Sequence, residues 1–323
     1  MLIAAVLFFI LATPSVLLYA WGYSFDWQSK KIVLTGGLYL KSAPKGGQIY
    51  LDGQIKKRTP AFIKRLAPGS YQLAVVKDGH HLWRKKLEIE SELVTEAKNI
   101  LLVPKQPSFE LAKGELPPNF SLVDFLPSAE AEIIFYLQKP SNILYKTDRA
   151  GSFDEQISLT PLPADHQYQI FNSANGRVAV LNEEKQFFLL NSQSKSFELL
   201  AENIQGAQFS PDSKKLLYYT PTEICVYYLE DTFSQPNKQA GQEEQITRLS
   251  QEIREAIWYP PTNEHIIFAA DQVIKIIELD DRDYRNTVDL FNWSTDQLAY
   301  SSQDEKIYLV RGEKLLSTSL ISE

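Results

Sequence analysis

The hydrophobic positions of the chain fall into two successive patterns. Residues 1–25 carry no charged side chain, and the stretch from Leu2 to Tyr23 consists mostly of Leu, Ile, Val, Phe and Ala. At about 1.5 Å of rise per residue, a helix of this length covers a hydrocarbon core of roughly 30 Å. From about residue 36 onward the pattern changes to short runs of alternating apolar and polar residues. The sequence therefore predicts one apolar helix followed by an all-β body.

A single-pass transmembrane anchor is our interpretation of residues 1–25, and a cleaved signal peptide is its main alternative. Aromatic residues near the end of the segment suit a membrane interface. A signal peptide has a basic segment before its apolar core, which is absent here, and Leu18-Tyr19-Ala20 lacks a small residue at the −3 position. We therefore predict an uncleaved anchor in contact with membrane lipid, followed by a juxtamembrane linker at residues 26–35.

The charges beside the apolar segment bear on its orientation. No Lys or Arg precedes the segment, whereas Lys30 and Lys31 follow it. By the positive-inside rule this arrangement places the body of the chain in the cytoplasm. We nevertheless predict an extracytoplasmic body, because of the combination of this segment with the two β-regions that follow it. A cytoplasm-facing interaction platform is the alternative.

Residues 36–104 predict a small domain of short strands joined by tight turns. Asp52-Gly53 is a strong turn dipeptide, because Gly accepts positive φ without steric cost. Turn and cap residues recur in a characteristic order and spacing at Ser42, Pro44, Gly46, Asp52-Gly53, Thr59-Pro60, Pro68-Gly69-Tyr71 and Gly79. In this order and spacing the segment resembles a PEGA domain, whose signature tetrapeptide reads Pro44-Lys45-Gly46-Gly47 here, with Lys for Glu and Gly for Ala. The resemblance implies a β-sandwich of envelope proteins and brings no catalytic residues.

Residues 105–323 repeat a phrase in which an aromatic residue precedes a turn and an apolar strand. The clearest copy begins Phe209-Ser210-Pro211-Asp212 and resembles the repeats of TolB-like and other WD-related propellers. A spacing of 35 to 49 residues between copies predicts a β-propeller of about five blades, with four or six as alternatives. Ser108 to Leu111 is a candidate for the strand that closes the ring. The repeat aromatics are Phe125, Phe171, Phe209, Trp258 and Trp293.

Two further stretches of this region predict local structure outside the repeated pattern. The polar stretch from Glu230 to Arg248 predicts an exposed loop inserted between blades. The stretch from Glu252 to Ala256 predicts either a short helical turn or the next inner strand.

The two β-regions differ in net charge. Residues 37–104 contain twelve Lys or Arg and six Asp or Glu, whereas residues 105–323 contain nineteen and thirty-three. We predict that the basic domain stands near the membrane, where its surface meets anionic lipid or an anionic cell-wall polymer. A solvated basic face without a ligand is an equal alternative. The predicted surface comprises Lys56, Lys57, Arg58, Lys64, Arg65, Arg84, Lys85 and Lys86.

The sequence offers no catalytic, cofactor or metal motif. His80 and His81 are adjacent on a strand, so their side chains point to opposite faces and do not chelate one ion. The acidic stretch at residues 280–283 lacks the Gly and the terminal Glu of a calcium loop. Cys225 lies in an apolar run and is expected to be an inert buried thiol. The polar residues that lead into the repeat aromatics share no common offset; they are Asp124, Gln169, Gln208, Glu255 and Asp289.

These observations predict a non-catalytic, membrane-anchored protein of the bacterial cell envelope. Its propeller would bind or scaffold a protein or glycan partner, and no nucleic acid is expected. The alternative is a membrane-tethered propeller hydrolase that acts on envelope glycans, with its carboxylates on the innermost strands of the funnel.

Overall fold

The computed structural model describes residues 2–26, 30–126, 133–293, 295 and 297–321. The chain begins with helix α1 (Leu2–Ala20), followed by an antiparallel hairpin of β1 (Tyr23–Asp26) and β2 (Lys31–Leu34). Among the described residues, no helix combines the length and the apolar character needed to span a membrane. The described part of the predicted linker at residues 26–35 contributes to this hairpin.

Residues 36–101 form a β-sandwich of two sheets. One sheet has the strand order β6-β3-β9 and the other has β5-β4-β7-β8. Leu38, Ile49, Val75 and Trp83 belong to the apolar core between the sheets. The strands are β3 (Gly36–Ala43), β4 (Gln48–Leu51), β5 (Gln54–Arg58), β6 (Ala61–Leu66), β7 (Gly69–Val76), β8 (Trp83–Ile89) and β9 (Val94–Leu101).

The turn at Pro44-Lys45-Gly46-Gly47 shows why two glycines stand in the signature tetrapeptide. Gly46 has a φ of +86°, in the left-handed region that favours glycine. A Cβ at Gly47 would lie 2.6 Å from Val75 Cγ1 and 2.9 Å from Leu102 Cδ1. The close approach of these two core side chains therefore explains Gly in place of Ala at the fourth position.

The described part of the chain beyond the sandwich forms five sheets arranged as the blades of a propeller. Blade 1 contains β11 (Ile133–Gln138), β12 (Ile143–Asp148) and β13 (Asp154–Gln156). Blade 2 contains β14 (Tyr168–Asn172), β15 (Val178–Asn182), β16 (Phe187–Asn191) and β17 (Ser196–Ala201). Blade 3 contains β18 (Gly206–Phe209), β19 (Lys215–Tyr219), β20 (Glu223–Tyr228) and β21 (Glu243–Arg248). Blade 4 contains β22 (Ile253–Trp258), β23 (His265–Ala270), β24 (Val273–Glu278) and β25 (Thr287–Phe291).

Blade 5 is completed by a strand from the other end of the propeller. Its own strands are β26 (Leu298–Ser301), β27 (Lys306–Arg311) and β28 (Lys314–Thr318), and β10 (Glu110–Lys113) pairs with β28 as the fourth. The predicted closing strand from Ser108 to Leu111 is therefore confirmed to within a few residues. This pairing joins the two ends of the ring.

The repeat aromatics occupy equivalent positions in the middle blades only. Phe171, Phe209 and Trp258 lie in the first strands of blades 2, 3 and 4. Phe125 instead ends the short helix α2 (Leu122–Phe125), and Trp293 precedes the first strand of blade 5. In the first and last blades the repeat aromatic therefore lies before the first strand and not within it.

The stretch from Glu230 to Arg248 is not a loop inserted between blades. Residues 243–248 form β21, the fourth strand of blade 3, because Ile246 is buried and the strand pairs with β20. The loop itself comprises residues 229–242 and lies within blade 3. Of the two alternatives for Glu252 to Ala256, the inner strand is correct, since β22 covers most of it.

Candidate functional site: the interdomain seam and the free face of the propeller

A buried lysine joins the sandwich to blade 4. Every second residue of β8 is buried, and Lys85 occupies one of these positions. Its ammonium lies 2.8 Å from Glu278 Oε1 and donates hydrogen bonds to the backbone carbonyls of Asp280, at 2.7 Å, and Tyr284. The indole Nε1 of Trp83 donates to the other carboxylate oxygen of Glu278 at 2.9 Å. The charge of Glu278 is therefore compensated on both of its oxygens.

Two carboxamides satisfy the free edges of the sandwich where it meets the propeller. Gln235, from the loop 229–242, accepts a hydrogen bond from the N–H of Glu96 and donates one to the carbonyl of Val94. Asn286 accepts, at 3.4 Å, from the N–H of Arg84 and donates to its carbonyl at 3.1 Å. Each amide supplies one donor and one acceptor, as a neighbouring strand would, so these edges of β8 and β9 are covered.

An apolar contact continues the seam beyond these polar groups. Leu101 and Val103, at the exit of the sandwich, share one core cluster with Ile257 and Tyr259 of blade 4. The two domains therefore pack as one body at this contact.

The predicted basic surface must be corrected at Lys85, which is buried at the seam. The alternation of β8 points Lys85 inward, while its neighbours Arg84 and Lys86 are exposed. Arg84 and Lys86 also contact propeller residues through Tyr284 and Asp283. The rest of the predicted surface lies on the opposite edge of the sandwich, where β5 is exposed throughout; these residues are Lys56, Lys57, Arg58, Lys64 and Arg65.

The seam involves only one of the two faces of the propeller. Successive strands of a blade run in opposite directions, so the loops after the first and third strands lie on one face. We call this the sandwich-side face and the other, formed by loops after the second and fourth strands, the free face. The polar seam contacts described above run to blade 4 and to the loop 229–242, on the sandwich-side face.

The two faces differ in charge. The free-face loops between residues 183 and 272 contain five carboxylates and one lysine. The sandwich-side loops of blades 2–4 contain seven carboxylates and six basic residues. These free-face loops are residues 183–186, 202–205, 220–222, 249–252 and 271–272.

Tyr219 and Glu255 form a partly buried pair between blades 3 and 4, near the free face. Tyr219 ends the second strand of blade 3, and Glu255 follows a bulge near the start of β22. Burial raises the pKa of Glu255 to about 7, and the hydrogen bond from the Tyr219 hydroxyl partly offsets this shift. A Cβ at Gly206 would lie 2.6 Å from that hydroxyl oxygen, so Gly206 provides the space that the tyrosine needs.

The other polar residues predicted near the funnel do not converge with Glu255. Gln208 joins blades 3 and 4, since its Oε1 and its backbone carbonyl accept hydrogen bonds from Trp258, both at 2.9 Å. Asp289 lies on the outermost strand of blade 4 and pairs with Lys275 at 2.5 Å. Gln169 is exposed on β14, and the side chain of Asp124 lies outside the described residues. No sequence pattern distinguishes Glu255 by its pairing with Tyr219.

Within the described ranges, no cluster of three or more His, Cys, Asp or Glu suits a metal ion. The acidic stretch at residues 280–283 is used at the seam: Asp280 pairs with Arg282, Asp281 with Lys238 at 2.7 Å, and Asp283 accepts from the N–H of Lys86. Burial raises the pKa of the Cys225 thiol to about 12, which opposes formation of the reactive thiolate.

One family model matches part of this architecture. Residues 35–102 match the PEGA domain, so the sequence resemblance is confirmed for the sandwich. No curated protein matches the sequence.

Solved propeller structures resemble the chain over most of its length. YCF48 from Cyanidioschyzon merolae is 8% identical with a TM-score of 0.39, covering 85% of this chain and 96% of that one. The Cps50 (Swd1) β-propeller domain from Myceliophteria thermophila is 10% identical with a TM-score of 0.42, covering 91% and 88%. A gluconolactonase, XC5397 from Xanthomonas campestris, is 8% identical with a TM-score of 0.39, covering 77% and 82%. These likenesses concern the fold alone, and the TolB-like character of the repeats stays a prediction.

Proposed function

We propose that the protein is a membrane-anchored binding module of the bacterial cell envelope. The PEGA domain holds the propeller by its sandwich-side face, and the free face receives a protein or glycan partner. The observation that carries this proposal is the buried Lys85–Glu278 pair, because it fixes one face of the ring and leaves the other available. No catalytic residue is assigned to this function.

Photo-crosslinking of the full chain tests the role of the free face. A photoreactive amino acid at Thr222 or Asp271, which are exposed on free-face loops, is expected to give a discrete crosslinked product. Leu199, exposed on the outermost strand of blade 2, is the matched control. Crosslinks of equal yield at all three positions would contradict the proposal. The absence of any crosslink would also contradict it if no glycan of a panel binds the full chain.

Attachment to the membrane is part of the same proposal and rests on the uncharged N-terminal segment. A single cysteine in place of Leu159, which is 63% exposed on blade 1, reports on topology. Cys225 is buried and does not compete for a membrane-impermeant thiol reagent. We expect labelling of intact cells. Labelling only after lysis would support the cytoplasmic orientation that Lys30 and Lys31 favour.

The basic edge of the sandwich is proposed to bind an anionic wall polymer. Lys56, Lys57 and Arg58 follow one another on the exposed strand β5. Binding of the full chain to isolated wall material should weaken steeply as salt rises, because the Debye length falls. A triple charge reversal at these positions should remove the salt-dependent part, and binding that stays constant across the salt series would exclude this role.

A hydrolase is the second candidate, and Glu255 is the observation that favours it. A carboxyl group with a pKa near 7 suits a general acid. Glycoside hydrolysis needs a second carboxylate within about 10 Å, and no neighbouring carboxylate contributes to the shifted pKa of Glu255. Turnover of an envelope glycan by the full chain that is lost in Glu255→Gln would establish this candidate. The binding module predicts no turnover in either protein.

A further inference from the structure

We propose that the propeller itself touches the membrane, through Phe233. In this arrangement the end of α1, the β1–β2 hairpin, the β8–β9 turn and the loop 229–242 form one lipid-docking surface. The proposal rests on the membrane attachment proposed above, and it adds a contact that the N-terminal segment does not make.

The first step is that the sandwich holds the end of the helix. Arg65, on β6, donates a hydrogen bond from Nη1 to the carbonyl of Tyr19 at 3.0 Å. Its guanidinium carbon lies 3.4 Å from the centroid of the Tyr19 ring, a cation–π contact. The end of α1 is therefore positioned against one end of the sandwich.

The second step is that the β8–β9 turn lies at this same end. The N–H of Thr35 donates to the carbonyl of Gly22, just beyond the helix, and the N–H of Glu92 donates to the carbonyl of Thr35. The N–H of Gly37 donates to the carbonyl of Leu93 at 2.9 Å. A continuous backbone path thus connects the end of α1 to Leu93, which is 55% exposed.

The third step is that the propeller loop reaches the same place. Gln235 is hydrogen-bonded to Val94, the residue next to Leu93, and Phe233 precedes Gln235 by two positions. Phe233 is 92% exposed. A groove of about 430 Å³ lies between the turn and the loop; Leu93 and Val94 contribute to its apolar part, and most of its other lining residues are charged or polar. The phenyl ring of Phe233 therefore stands clear of the protein, two positions from Gln235 in the wall of this groove.

The composition of this surface indicates a bilayer rather than solvent. Trp21 and Ile32 are 68% and 56% exposed on the helix end and the hairpin, and Phe233 continues the apolar character onto the propeller. Exposed aromatic and aliphatic residues beside an uncharged helix are typical of a membrane interface. Lys30, Lys31, Lys64 and Arg65 flank the hairpin side, and Glu90 and Glu92 flank the β8–β9 turn. The cations near the helix end favour an anionic leaflet, while the apolar groups provide the insertion.

The test places a fluorophore at the proposed contact. The full chain carrying Phe233→Cys is labelled with an environment-sensitive dye and reconstituted into vesicles of phosphatidylcholine and phosphatidylglycerol. Leu159→Cys, at a position that is 63% exposed on blade 1, is the matched control. We expect a blue shift and quenching by headgroup-attached nitroxide lipids at position 233, with neither at position 159. Adding Leu93→Ser should reduce the quenching at position 233.

Each outcome is distinguishable. Vesicle flotation measured on the same samples reports attachment. If the protein floats but its label at position 233 is as exposed to water as the label at position 159, the proposed docking surface is wrong and the proposed anchor stands. Protein that does not float overturns both. A shift that disappears when the protein is diluted within the vesicles indicates a second copy of the chain on this surface, which also overturns the proposal.

Discussion

The ammonium of Lys85 and the carboxylate of Glu278 lie 2.8 Å apart, 193 positions apart in the chain, and both side chains are buried. Burying two charges costs several kcal/mol per ion, so such a pair contributes to stability only when further hydrogen bonds complete it. Trp83 and the carbonyls of Asp280 and Tyr284 provide them here. The pair therefore determines the relative orientation of the two domains as well as their association.

Removal of one partner should destabilise the full chain. Lys85→Met leaves Glu278 buried without its counter-ion, and we expect a loss of about 3–5 kcal/mol in the free energy of unfolding. Urea unfolding followed by tryptophan fluorescence measures it. Lys98→Met, which breaks the exposed pair with Glu96, is the control and should cost about 1 kcal/mol or less. An equal cost for both variants would show that the buried pair has no special role.

Glu255 should make the protein less stable as the pH rises. Its folded pKa of about 7 exceeds the ordinary value of 4.5, so the folded state binds the proton more tightly. Stability from this group is fully present below pH 4.5 and is lost as the pH rises through 7. Glu255→Gln should therefore gain about 1–3 kcal/mol relative to the unmodified chain between pH 5 and pH 8. A pH-independent difference between the two proteins in urea unfolding would contradict this assignment.

Tyr219→Phe should move the pH range in which the stability contributed by Glu255 is lost to higher pH. The tyrosine hydroxyl favours the charged carboxylate, so its removal raises the pKa of Glu255 further. The midpoint of the pH-dependent loss of stability is expected at a higher pH in this variant. The measurement is a pH series of urea unfolding, and a downward displacement would show that the hydrogen bond is not made.

His265 should make the protein less stable as the pH falls, which is opposite to the effect of Glu255. Burial lowers its folded pKa to about 3, below the ordinary 6.5, so only the unfolded state gains a proton between these values. Stability is therefore lost as the pH falls from 6.5 towards 3. His265→Asn, which retains a polar group near Thr262, should reduce the loss between pH 7 and pH 4 by about 2–3 kcal/mol. An unchanged loss in urea unfolding would mean that other groups govern the acid sensitivity.

A disulfide across the ring closure should stabilise the propeller. Leu111 on β10 and Leu316 on β28 are direct partners, so cysteines at both positions close a loop of about 200 residues. The oxidised protein should gain about 2–4 kcal/mol over the reduced one. The partners Val310 and Leu315 close only a short hairpin and serve as the control, with a smaller expected gain. Thermal unfolding with and without reductant compares the two pairs.

The sequence predicted the elements that depend on local patterns. Asp52-Gly53 and the apolar alternation indicate the strands and turns of the small domain, the resemblance to a PEGA domain implies its sandwich, and the repeat spacing with the pattern at Phe209 indicates a propeller. The errors concern contacts between distant segments. The sequence predicts Lys85 on a basic surface because its neighbours in the chain are charged, and nothing near it in the chain reveals Glu278. Tyr219 and Glu255 likewise come from different blades, so their proximity depends on the ring as a whole.

The pairing of β10 with β28 has a consequence for the order of assembly during synthesis. The first strand of the ring is made about two hundred residues before its partner, so it has no hydrogen-bonding neighbour on that side until the last blade emerges. The sandwich and the N-terminal helix are complete long before this moment. These parts of a nascent chain can thus be folded while the ring is still open. A chain that stops short of Lys314 leaves the edges of β10 and β27 unpaired, and such edges recruit other strands.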